Sequence, residues 1–106
     1  MDYITHNQDA SIDIYNTSLQ GYVVADYYNL VRLFGNPEPG DGNKTDAEWR
    51  IKFQDGTIAT IYNWKNGRSY RGSDGTPTPA ITTWNIGGIS QLSSDLVHQL
   101  LSQRRG

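Results

Sequence analysis

The sequence predicts an α+β fold: an antiparallel sheet of four or five strands, in the order β-α-β-β-β-α, with two helices packed on one face. Three observations carry this. Residues 26–34 and 93–105 place apolar side chains at helical spacing. Residues 47–53 and 57–64 are strand-like and flank Asp55-Gly56, a strong two-residue hairpin signal. At 106 residues the chain has the length of one domain, so helices and sheet must share one core. The domain reading is 1–106, with 1–20 as an N-terminal arm or edge strand and 21–106 as the α+β core.

In chain order, "SIDIY" (11–15) alternates Ile12 and Ile14 with Asp13, which suits a short edge strand or a docking arm. "LQGYVVADYYNLVRLFG" (19–35) reads as a strand running into a helix. Tyr22, Val23 and Val24 are strand formers, and Asp26 is a good N-cap. Tyr27, Leu30, Val31 and Phe34 share one helical face, Gly35 stands at the C′ position and Pro37 stops the helix. Residues 36–46 form an eleven-residue loop rich in Pro, Gly, Asn and Asp, without the spacing of a Walker phosphate loop.

In "AEWRIKF" (47–53), Trp49, Ile51 and Phe53 alternate with Glu48, Arg50 and Lys52, the pattern of a half-buried strand. "TIATIYNW" (57–64) returns after the Asp55-Gly56 turn. Asn66-Gly67 signals a second turn, with "RSY" (68–70) opening a third short strand. "AITTWNI" (80–86) is the next strand, with Thr82, Trp84 and Ile86 on one face and Gly87-Gly88 ending it. The last helix takes Ser93 as N-cap, an apolar stripe of Leu96, Val97, Leu100 and Leu101, and Arg104 with Arg105 at its negative end.

Composition narrows the function. The net charge is −2, which argues against general DNA or RNA binding, whose footprint is a basic excess. No cysteine is present, so disulfides and thiolate chemistry are excluded. The first residues have no basic-then-apolar signal pattern and no run is long enough to cross a bilayer, so the expectation is a soluble, cytoplasmic protein with no membrane partner. A mean hydropathy of −0.64 is polar for so small a domain and predicts help from homo-oligomerisation. His6 and His98 lack partners at metal-ligand spacing, and turn, cap or surface roles account for Glu48, Asp55, Asp74, Ser93 and Ser94. No metal, cofactor or catalytic constellation is expected.

One stretch stands out. "TIYNWKNGRSYRG" (60–72) interleaves Tyr62, Trp64 and Tyr70 with Lys65, Arg68 and Arg71. This is either the exterior of an ordinary hairpin or a clamp for something flat and anionic, because aromatic rings stack on bases and Arg forks hold phosphates. On the second reading Trp64, Tyr70 and Trp84 stack the ligand, and Lys65, Arg68 and Arg71 hold its phosphates. Asn63 or Asn85 reads a base edge, and the Gly87 and Gly88 amides come close to a phosphate. The alternative for the glycines is a plain turn before the last helix.

"DGTIATIYNWKNG" (55–67) and "WNIGG" (84–88) resemble a group of small bacteriophage proteins with a D-G-T hairpin, an I-Y-N/D-W-K strand end and a W-x-I-G-G strand end. The similarity covers roughly residues 20 to 90 and takes in "LVRLFGNPEPGDGNKTDAEWRIKF". It implies a context of host takeover or anti-defence, where small β-rich phage proteins sequester nucleotide immune signals such as cyclic oligonucleotides or cyclic ADP-ribose variants. The function expected is therefore non-catalytic sequestration of such a nucleotide. The alternative is a protein-binding inhibitor of a host or defence enzyme, or a minor assembly factor, since Trp, Tyr and Arg also populate interface hot spots.

Overall fold

The structure, a computed structural model, describes residues 2–103. Its strands are β1 (Tyr3–Thr5), β2 (Ser18–Val24), β3 (Glu38–Pro39), β4 (Ala47–Phe53), β5 (Ile58–Tyr62) and β6 (Thr83–Gly88). Its α-helices are α1 (Tyr27–Phe34), α2 (Arg68–Arg71) and α3 (Gln91–Gln103). The strands form one antiparallel sheet in the order β1-β4-β5-β6-β2, with β3 pairing the N-terminal end of β4 beyond β1. The α+β class, the antiparallel sheet and the two packed helices are as the sequence predicts.

Local chemistry explains the best-defined elements. The Asp26 carboxylate accepts the Tyr28 and Asn29 N–H groups at the start of α1, and Gly35 ends the helix at φ 81°, a left-handed conformation natural to glycine. Strand β4 alternates strictly: Ala47, Trp49, Ile51 and Phe53 are buried while Glu48, Arg50 and Lys52 face the other way. Register then fixes the neighbours. Trp49 lies opposite Ile61, Ile61 opposite Ile86, and Trp84 opposite Val23. Leu30 and Phe34 of α1 and Val97 and Leu100 of α3 complete the core on that face. Each such side chain removed from water contributes about 1.5–3 kcal/mol. Among the described residues no helix is long and apolar enough to cross a membrane.

Four local expectations are corrected. Residues 68–71 are helical, so "RSY" is not a strand; β5 pairs with β6 instead. The cause is distant: the Asp46 carboxylate accepts the Ser69 N–H (3.0 Å) and draws the chain into a helical turn. The first strand is Tyr3–Thr5 rather than residues 11–15, where Ile12 is buried without pairing. Gly87 and Gly88 are both paired within β6, which ends at Gly88 as expected, but they are not a turn: the chain leaves the strand only at residue 89. Helix α3 starts at Gln91, and Ser93 lies inside it, its buried hydroxyl donating to the Ile58 carbonyl at 2.6 Å rather than capping. Arg104 and Arg105 lie outside the described residues.

Candidate functional site

The two helices cover one face of the sheet and leave the other open. On that open face register sets side chains in rows. Arg50, Thr60 and Gly87 form one row, and Glu48, Tyr62, Asn85 and Tyr22 form the next. A cleft of about 410 Å³ opens there, bounded by the sheet, by Ile14 and Thr17 of the N-terminal arm and by the 39–45 loop. That volume lies within the range of small-molecule sites, about 300–1,000 Å³.

Arg50 sits in the cleft. Its Nε donates to Glu48 Oε2 at 2.9 Å, and both side chains are roughly three-quarters buried. The Arg50 backbone is clamped by His6, which donates its N–H to the Arg50 carbonyl (3.0 Å) and accepts the Arg50 N–H on Nδ1 (3.3 Å). The guanidinium is thus oriented through one edge, while its two terminal amino groups make no hydrogen bond to any described residue. They remain a fork for a carboxylate or phosphate.

The 40–45 loop is tightly organised. The Asp41 carboxylate accepts the N–H groups of Asn43, Lys44 and Thr45 at 2.8–3.0 Å, and the Thr45 hydroxyl accepts the Asp41 N–H. The Thr45 N–H, followed by that of Asn43, holds the Asp41 carboxyl below the usual carboxylate range. Lys65 donates its N–H to the Lys44 carbonyl (2.8 Å), which ties this loop to the end of β5. The result is a ring-and-cation cluster. Lys44 Nζ lies 5.4 Å and Lys65 Nζ 5.8 Å from the Trp64 ring, and Lys65 Nζ lies 5.5 Å from the Tyr70 ring. Trp64 (44% exposed) also meets Tyr62 edge-on at 6.3 Å.

The residues singled out from sequence therefore divide. Trp64, Lys65 and Tyr70 come together beside the cleft. Arg68 and Arg71 lie exposed on α2, with Arg71 Nε donating to the Lys65 carbonyl (2.9 Å). Gly87 lines the cleft and Asn85 stands next to it on the open face. Three residues point elsewhere. Trp84 is completely buried, T-stacked on Trp49 at 5.3 Å, with Nε1 donating to the Ala25 carbonyl. It offers no ring to a ligand, because β6 register turns it to the core. Gly88 also faces the core, where a Cβ would collide with Ser93.

Asn63, fully buried, spends its whole amide inside the chain. Oδ1 accepts the Asp46 (2.7 Å) and Ala47 (3.1 Å) N–H groups, and Nδ2 donates to Asp46 Oδ2 (2.8 Å) and Asn66 Oδ1 (3.1 Å). Burial pushes the Asp46 carboxyl up, but hydrogen bonds from Ser69 and Asn63 outweigh it and leave the group below its ordinary value.

Sequence reasoning missed Arg50 and Lys44 as site residues, and it placed Tyr62 in the ring-and-cation stretch without giving it a role in binding. The signal for Arg50 was present. The Asp55-Gly56 hairpin places the polar face of residues 48–52 beside Thr60 and Tyr62, so one face carries all of them. Nothing short-range announces Lys44. Comparison of the chain with protein-family models, curated proteins and solved structures finds no match.

Proposed function

We propose that this protein binds a small anionic nucleotide without transforming it, and that it acts by sequestration. One observation carries the reading: an arginine fork, oriented by Glu48 and free at its terminal amino groups, opens into a cleft walled by Tyr62 and Trp64 with two lysines around the latter ring. Aromatic faces and a planar cation are what a base and a phosphate require, and each stacked base contributes about 1–3 kcal/mol. The resemblance to bacteriophage proteins supports the role of a phage accessory factor. On this reading it withdraws a cyclic oligonucleotide or cyclic ADP-ribose type immune signal in the host cytoplasm, as a homo-oligomer.

The test is a thermal-shift panel of cyclic di- and trinucleotides, cyclic ADP-ribose isomers and mononucleotides, repeated on Arg50→Gln and Trp64→Ala. A ligand at 100 times its dissociation constant adds about 2.7 kcal/mol, several degrees for a domain of this size. A selective shift lost in both variants supports the proposal; a flat panel refutes it. A second reading, a protein-binding inhibitor, is favoured by the exposed apolar residues Leu19, Val24 and Tyr28. Capture of a partner together with a flat nucleotide panel would establish it.

A further inference from the structure

The open face carries one cross-strand row that the core does not use. Tyr22, Asn85 and Tyr62 stand side by side on β2, β6 and β5. Two strand spacings, about 10 Å, separate the tyrosine backbones, with Asn85 midway. Tyr22 is 59% exposed. Asn85 is half-buried, yet its amide makes no hydrogen bond to any described residue, in contrast to the fully spent amide of Asn63. Gly87, the next residue on the same face of β6, lies under the Tyr62 ring: a Cβ there would meet Tyr62 Cε1 at a contact distance of 3.4 Å and would collide with the Thr60 hydroxyl. The row is therefore an unspent amide between two aromatic rings.

We propose that this row is a base-reading subsite for adenine, with Asn85 pairing to the base edge and Tyr22 and Tyr62 supplying ring contact. The inference rests on the nucleotide-binding reading above and adds the identity of the base. A primary amide presents one acceptor beside one donor. Adenine matches it on both exposed edges, since its amino group neighbours a ring-nitrogen acceptor on either side. Guanine's major-groove edge offers two acceptors and rejects the amide carbonyl, which leaves it the Watson–Crick edge alone, whereas cytosine and uracil match only through the Watson–Crick face of a smaller ring; adenine is the base that matches on both of its edges. Tyr62 is common to this row and to the cleft. Strand spacing and rise place the Cα atoms of Asn85 and Arg50 about 12 Å apart, a span that an arginine side chain and one nucleotide cover. Base and phosphate subsites thus adjoin.

Isothermal titration with adenine ligands (AMP, ADP-ribose, cyclic di-AMP) against GMP, UMP and cyclic di-GMP tests this on the wild type, Asn85→Ala, Tyr22→Ala and Tyr22→Phe, each checked for folding by its melting curve. The wild type should prefer an adenine ligand. Asn85→Ala should weaken that ligand about 10- to 100-fold and level the base preference. Tyr22→Ala should weaken it about 5- to 100-fold, with Tyr22→Phe restoring affinity. Unchanged adenine affinity in both alanine variants, or a wild-type preference for guanine or uracil, overturns the subsite while the cleft reading stands. No binding by any of the six ligands overturns the adenine subsite, and a flat thermal-shift panel beside it overturns the cleft reading as well.

Discussion

Replacing Asn63 by alanine should unfasten the junction between β4, β5 and α2, and the loss can be worked out bond by bond. Four hydrogen bonds disappear: two accepted from the Asp46 and Ala47 N–H groups, one donated to the Asp46 carboxylate and one to Asn66. A neutral bond is worth about 1 kcal/mol net and one to a charged group about 1.5–3, while a buried donor left unpaired costs about 1–3. Ala47 is buried, so its orphaned N–H takes that penalty. Allowing for overlap among these contributions, the expected loss is about 3–5 kcal/mol, a large share of the 5–15 typical of a domain.

Urea denaturation of Asn63→Ala should show this as a lower midpoint with the m-value unchanged. A loss under about 1 kcal/mol would refute the reasoning, by showing that water replaces the amide at little cost. Gly67→Ala probes the same junction sterically. Its φ of −98° suits any residue, but a Cβ would overlap the Asp46 carboxylate. It should cost about 2 kcal/mol or more, in the range of overpacked sites.

Two further predictions follow from burial and charge. Trp84→Ala should cost about 3–5 kcal/mol, as for a buried large-to-small change, whereas half-exposed Trp64→Ala should cost about 1 or less, so paired urea curves separate a core ring from a site ring. The Asp41, Asp46 and Asp55 carboxyls are all held below their ordinary values, so the native state releases these protons more readily than the unfolded chain. Stability should be full above about pH 5 and fall as acid protonates them; melting temperatures from pH 7 to pH 2.5 should show that acid slope, reduced in Asp41→Asn, and a flat profile to pH 3 would contradict it.

The elements legible in the sequence are those whose causes lie within a few residues. Asp26 and Gly35 bound α1 because a cap acts across two or three residues. The alternation of 47–53 declares β4 because a pleat turns each successive side chain to the opposite face. Trp64 and Trp84 look equivalent in sequence, since both are tryptophans in strand-like runs. What separates them is pairing: β6 sets Trp84 opposite Val23 in the core, while Trp64 lies beyond the end of β5, on the face that the helices leave open.

Long-range contacts decided the rest. The helical turn at 68–71 depends on a carboxylate 23 positions earlier, which overrides the Asn66-Gly67 turn signal. Lys44 reaches Trp64 because its carbonyl accepts the Lys65 N–H across 21 positions. Arg50 and Tyr62 meet in the cleft through hairpin register, and Asn85 lies between two tyrosines because β6 inserts between β5 and β2. By itself the sequence determined the fold class, the α1 boundaries, the β4–β5 hairpin and a surface rich in rings and cations, because period, capping and turn chemistry are local. Only tertiary structure decided which rings are exposed, which amides are spent and which arginine lies in the cleft, because those depend on what the folded chain packs against each side chain.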